Sequence, residues 1–205
     1  MPIDSLHAPT RRDALLTLLC GVALTAVPMR AVALTVDEAR ALVDKVVADI
    51  NAVIASGKPV EGMIRDFEGI FTRYADVGYI AQSSLGPAGR GASKADLAKY
   101  SKAFAGYVAR KYGKRFREFI GGQIEVKDAR PLKSFFEVVS VAKLQGQSPF
   151  EVRWHVFDKN GKLRFFNLII EGVNMLASER TEIGAILDQQ GGSISKLADA
   201  LNATG

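Results

Sequence analysis

From Thr35 onward, apolar residues recur at Ala39, Leu42, Val43, Val46, Val47, Ile50, Val53 and Ile54. That three- and four-residue spacing marks one face of an amphipathic helix. Thr35 followed by Glu38 predicts a capping box at its start, and Ser56-Gly57-Lys58-Pro59 predicts its end. A second helix is expected over 60–74, with Ile64, Phe67, Ile70, Phe71 and Tyr74 on one side, and a short third over 76–85. The glycine-rich stretch 86–92 reads as a loop, because it cannot continue a helix. Ser93 with Asp96 then opens a long helix. Its apolar stripe is Leu97, Tyr100, Phe104, Tyr107, Val108, Tyr112, Phe116 and Phe119, with a break expected near Gly113.

After Gly121-Gly122 the period shortens to two. Strands are expected over 124–133, 135–144, 150–158 and 163–172, in meander order. Asn160-Gly161 joins the last two, since both residues tolerate positive φ. Two helices, over 173–189 and 193–201, close the chain. Helices, then a meander, then helices predict an α+β domain. Its four- to five-stranded antiparallel sheet is wrapped by helices around an apolar cavity, NTF2-like in outline. The cavity follows from the last long strand, which is apolar on both faces. Simple alternation puts Leu163, Phe165 and Ile169 on one face and Phe166, Leu168 and Ile170 on the other. An outer strand is normally polar on one side, so its second face needs a cover.

The first 33 residues follow a different pattern. Arg11-Arg12 precede an uncharged apolar run from Ala14 to Val27, and Ala31-Val32-Ala33 supplies a small-x-small cleavage pattern. The segment reads as an export signal of twin-arginine type, leaving residues 34–205 as one domain and the periplasm as its compartment. No apolar run reaches the about 20 residues needed to span a bilayer. Loss of the segment removes Cys20, the one cysteine, and lowers the net charge of +5 slightly. The remaining charge is modest and dispersed, which argues against nucleic acid as a partner and fits a monomer.

Chemistry is sparse. After cleavage His155 is the last histidine, so clustered imidazole or thiolate metal ligands are excluded and no cofactor is implied. A catalytic triad would have to be built on His155, which lies mid-strand beside Trp154. Asp76 and Glu171 lie beside apolar sequence and are the candidates for a catalytic base in a small α+β enzyme. Pairing with Arg73 and Arg180 is the plainer expectation for them. The aromatic and aliphatic residues offer more. The expected cavity lining is Tyr74, Val77, Ile80, Leu97, Tyr100, Phe104, Tyr107, Val108, Phe116, Val138, Trp154, Phe166, Leu168, Ile170 and Val173. Acyl chains buried there would gain about 0.8 kcal/mol per methylene.

Several of these residues fall into a recognisable order. Phe71-x-x-Tyr74-x-Asp76-Val77, then Leu85-Gly86, an aromatic helix, and Gly161…Glu171-Gly172-Val173…Arg180 resemble the MlaC family of periplasmic phospholipid carriers, also called toluene-tolerance proteins. The resemblance spans about residues 36–201. Leu163, Asn167, Asn174 and Glu179 stand where the family has Trp, Asp, Ser and Tyr, and Gly89 stands near the place of a further Trp. The resemblance implies a protein that binds without catalysing and carries phospholipid between the outer membrane and an inner-membrane ABC transporter. The implied partners are an MCE-domain permease complex and an outer-membrane lipoprotein–porin complex. A hopanoid carrier of the same fold is the alternative. Transfer implies a gate, for which Gly86, Gly89 and Gly91 are the expected loop.

Overall fold

The computed structural model describes residues 35–204, excepting the side chains of Phe116 and Arg117; the expected export segment lies outside them. Helix α1 (Val36–Ile54) starts at the expected capping box. Thr35 Oγ1 accepts the Glu38 N–H at 3.2 Å and the Glu38 carboxylate accepts the Thr35 N–H at 2.9 Å. Such caps stabilise a helix by about 0.5–2 kcal/mol. Helices α2 (Val60–Tyr74) and α3 (Val77–Ser84) follow, the second capped by Asp76 Oδ1 on the Tyr79 N–H at 3.0 Å.

The expected loop over 86–92 contains one helical turn, α4 (Ala88–Gly91). Gly89 and Arg90 N–H groups donate to the Gly86 and Pro87 carbonyls. The turn is tight because a side chain at Gly89 would meet the Gln82 carbonyl at 2.9 Å. Helix α5 (Lys94–Gly113) begins with Ser93 Oγ accepting the Asp96 N–H and ends at the predicted break. A 3-10 segment, Lys114–Phe119, carries the chain to the sheet.

Five antiparallel strands follow in the order of the chain: β1 (Gln123–Leu132), β2 (Phe135–Lys143), β3 (Phe150–Lys159), β4 (Lys162–Ile170) and β5 (Val173–Asn174). Asn160 and Gly161 both adopt positive φ, 56° and 74°, as a two-residue hairpin requires. Residues 173–174, expected at the start of a helix, form β5 instead. Glu171 (φ 50°) and Gly172 (φ 81°) turn the chain back on β4, and Asn174 caps the next helix through the Ala177 N–H. Helices α6 (Met175–Gln189) and α7 (Ile194–Ala203) complete an α+β fold.

Strict alternation fails in β4. Phe165 pairs with Val156 and Asn167 with His155, which leaves Phe166 as an extra residue in a β-bulge. Phe165 therefore shares a face with Leu168 and Ile170, beside Val156, Trp154 and Val152 of β3. The grouping expected from the sequence put Phe165 opposite these residues, and the bulge corrects it. Phe166 packs edge-on against Phe135 (5.4 Å) and Phe157 (4.9 Å), with Tyr79 of α3 closing the group at 5.5 Å.

Helix α1 crosses β1 and β2 and reaches β3 and β4. Helix α2 packs on α1 and α5, α5 on α7, and α3 on α5 and α6. The sheet contributes Val138, Ala142, Trp154, Val156 and Phe165 to the core, and the helices contribute Val43, Val46, Met63, Tyr100, Phe104, Ile183 and Leu197. Among the described residues no helix is long and apolar enough to cross a membrane.

Candidate functional site

Helices and sheet do not meet everywhere. Between them lies a cavity of about 450 Å³, within the range of small-molecule sites. The sheet side is Ile124, Val152, Trp154, Phe165, Leu168 and Ile170. Opposite stand Val46 and Ile50 of α1, Phe67, Ile70 and Phe71 of α2, Ile80 of α3, Phe104, Val108 and Tyr112 of α5, and Met175 and Leu176 of α6. The bulge builds this wall, since it turns Phe165 inward beside Leu168. One polar pair fixes it. Trp154 Nε1 donates to Ser140 Oγ at 2.9 Å, so the buried indole keeps its hydrogen bond while its ring faces Phe165 edge-on at 5.5 Å.

The exposed lining residues are Arg115 and Glu118 of the 3-10 segment, Gln147 between β2 and β3, and Glu171 and Val173 after β4. All lie at the sheet end where β2 stops and β3 starts, so they form the mouth. The opposite end carries the Lys133 and Asn160-Gly161 turns. At the mouth Arg115 pairs with Glu118 at 3.3 Å.

A buried polar cluster adjoins the apolar wall where α5 ends. Glu179 of α6 lines the cavity and is only 3% exposed. Its Oε1 accepts from Lys111 Nζ at 2.7 Å and from the Tyr112 hydroxyl. Lys111 also donates to Glu182 at 2.5 Å, and the Tyr107 hydroxyl donates to the same carboxylate. Burial pulls the Lys111 pKa down, but the hydrogen bonds of Glu179 and Glu182 outweigh it and the net shift is upward. Burial, then the hydrogen bond and charge of Glu179, raise Tyr112 well above an ordinary phenol. Lys111 therefore stays charged and Tyr112 stays a donor. Glu179 Oε2 is buried without a hydrogen-bond partner.

The family model described as MlaC protein matches residues 40–203. The chain belongs to the MlaC family. A solved structure supports the fold: the phospholipid-binding protein from Ralstonia solanacearum, in complex with a phospholipid, superposes with a TM-score of 0.69. It is 17% identical, and the match covers 80% of this chain and 97% of that one.

Within this MlaC-family chain, Ile80, Phe104, Val108, Trp154, Phe166, Leu168, Ile170 and Val173 of the expected lining border the cavity. Six others do not. Tyr74 is turned to Asp49, its hydroxyl donating at 2.9 Å. Tyr100 shares a buried hydrogen bond of 2.7 Å with Ser84, and Tyr107 is held by Glu182. Val138 is packed solid at 0% exposure. Val77 packs against the core, and Leu97 borders a separate shallow hollow beside Tyr79 and Gln82. The Phe116 side chain lies outside the described residues.

The candidate bases part company. Asp76 is buried, caps α3 and pairs with Lys159, not with Arg73, which pairs with Asp49 at 3.3 Å. It does not line the cavity. Glu171 stands exposed at the mouth without an ion pair among the described residues, so the expected pairing with Arg180 is absent there. Gly86, Gly89 and Gly91 do not border the cavity either; Gly86 lies against the Arg180 guanidinium. Sequence reasoning missed Val46, Ile50, Phe67, Ile70 and Phe71 as lining. Their helical stripes were visible, but period alone does not separate a packed face from one bordering a void. Glu179 was visible only as a departure from the family pattern.

Proposed function

We propose that this chain is a periplasmic lipid carrier, binding a phospholipid with its acyl portion in the cavity and its head at the mouth. The observation that carries the reading is a 450 Å³ apolar cavity, open at one end of the sheet, in a member of the MlaC family. Burial of each methylene in such a wall is favourable by about 0.8 kcal/mol, and the head stays in water. The phospholipid seen with the Ralstonia solanacearum protein of the same fold supports the choice of ligand class. In this reading the chain passes lipid between an outer-membrane lipoprotein–porin complex and an inner-membrane ABC transporter with an MCE-domain permease. Binding and release need no covalent step, and Asp76 is already engaged by Lys159 and by the α3 cap.

Organic extraction of the purified protein followed by mass spectrometry tests this. We expect phospholipid at near-stoichiometric amount, directly or after incubation with liposomes. Protein that stays free of lipid after both treatments would refute carriage, and recovery of a hopanoid alone would move the ligand to the alternative class.

A further inference from the structure

Volume and depth together fix how much hydrocarbon the cavity takes. An apolar protein cavity of about 150 Å³ is filled by benzene, which sets a scale of about 25 Å³ per carbon. On that scale the 450 Å³ here holds at most about 18 carbons. The depth agrees. The lining runs from Phe150, at the mouth end of β3, to Phe165, which pairs with Val156 further along β3. At about 3.3 Å per residue the step from 150 to 156 is about 20 Å. The acyl chains of one membrane leaflet span about 15 Å, half of the hydrocarbon core. One chain therefore fits end to end, and a second needs about twice the volume.

The walls are tied so that they do not spread. Asn51 holds α1 to β1 near the mouth: its Nδ2 donates to the Ile124 carbonyl and its Oδ1 accepts the Ile124 N–H, both at 3.0 Å. The Tyr74 hydroxyl of α2 donates to Asp49 of α1 at 2.9 Å. Helix α2 lies on α5, where Gly113 leaves no room for a side chain beside Ile64. Lys111 of α5 donates to Glu179 of α6 at 2.7 Å, and Asn167 of β4 accepts the Leu176 N–H of α6 at 3.1 Å. These contacts close a ring around the cavity. Admitting a second chain means parting one of them and leaving polar groups unpaired beside hydrocarbon, which is costly.

We propose that the cavity is a seat for one acyl chain, so that the cargo is a monoacyl lipid with its head at the mouth and not a diacyl phospholipid. This rests on the carrier reading above and specifies which lipid the site takes. A diacyl lipid seated here leaves its second chain against water, and each exposed methylene weakens binding about fourfold. A lysophospholipid and a fatty acid share the chemistry of one chain and one polar head. The lysophospholipid is the form that the carrier reading requires.

Lipid-depleted protein is incubated with vesicles of a diacyl phosphatidylcholine that contain a minor share of its monoacyl form and of the matching fatty acid. The protein is then re-isolated and its lipid quantified by mass spectrometry. Lysophosphatidylcholine is expected at near-stoichiometric amount, with the diacyl lipid at least about tenfold lower despite its excess. A second series measures the affinity for monomeric lysophosphatidylcholines of rising chain length. Affinity should climb about fourfold per methylene up to about 18 carbons and then level off. Leu168→Phe enlarges a wall residue by about three carbons and should bring that break about three carbons earlier.

Diacyl lipid loading at or above the monoacyl level overturns the single-chain seat while leaving carriage intact. Affinity that keeps climbing well beyond about 18 carbons does the same. An unmoved break in a folded Leu168→Phe protein overturns the placement of the chain on this wall; if that variant does not fold, the wild-type break still decides how much chain is held. Fatty acid loading to the exclusion of both phospholipids keeps the seat and refutes the phospholipid reading. Uptake of no lipid at all refutes carriage, and the seat with it.

Discussion

Asn167 reaches from the β4 bulge to the first turn of α6, where its Oδ1 accepts the Leu176 N–H at 3.1 Å while also accepting its neighbour Leu168 N–H at 2.9 Å. One buried amide thus fixes the cavity-facing strand to the helix that carries Glu179. Asn167→Ala leaves both N–H groups without this acceptor and should destabilise the fold by about 1–3 kcal/mol. Asn167→Asp keeps the acceptor and places a negative charge at a helix N-terminus, where it is favourable. We expect chemical denaturation midpoints to fall for the alanine variant and to stay near wild type for the aspartate. Equal midpoints for alanine and wild type would remove Asn167 from this role.

Leu168 faces the cavity beside Trp154 and is half-buried. Leu168→Glu puts a charge on the apolar wall, where it has no partner and burial of the ligand's chain would desolvate it. Lipid recovered by extraction should fall at least about tenfold, with circular dichroism showing that the variant is folded. Unchanged occupancy in a folded variant would refute the placement of the acyl portion.

His155 gives stability a pH dependence. Burial holds its pKa below the ordinary value of 6.5; the hydrogen bond and charge of Glu137 pull the other way, and Arg153 reinforces the lowering. The unfolded chain therefore binds this proton more readily than the folded one. The contribution is complete above the unfolded value and is lost as pH falls through the folded value. Relative to His155→Gln, the wild type should lose stability on acidification from about pH 8 to about pH 5, read as a narrowing gap in thermal midpoints. Parallel profiles would show that the ring does not titrate differently on folding.

Gly113 ends α5 against α2. A β-carbon there would stand 2.8 Å from Ile64 Cγ1 and 3.1 Å from Ile64 Cα. Helix propensity alone favours alanine by about 0.5–1 kcal/mol, but the backbone of α2 cannot yield as a side-chain end would. Overpacking costs about 1–3 kcal/mol, so Gly113→Ala should lower the urea midpoint. A raised midpoint would mean that the two helices separate without penalty.

Much of this fold is written in local chemistry. Thr35 with Glu38, Ser93 with Asp96 and Asn160-Gly161 each mark a boundary within four residues, and each lies where its cap or turn requires. Gly113 likewise marks the end of α5. The bulge was hidden because Phe165 and Phe166 are the same residue type. Either could face inward, and only pairing with Val156 and His155 distinguishes them. β5 is two residues long, too short to have a period. The cavity was legible as a surplus of apolar faces, whereas its acidic corner joins Lys111 and Tyr112 to Glu179 across 68 and 67 positions. No local pattern encodes that meeting, because α5 and α6 are brought within side-chain reach only by the packing of both on α3 and α7.

Trp154 is the one tryptophan in the chain, and it stands in the cavity wall with its N–H engaged by Ser140. The protein thus carries a built-in fluorophore at the place where its contents change. Its emission has no second indole to dilute it, so a shift on mixing with vesicles reports filling of the wall directly. Loading and unloading can be followed in real time on the unlabelled protein, with brominated acyl chains as the quencher that measures how deep they lie.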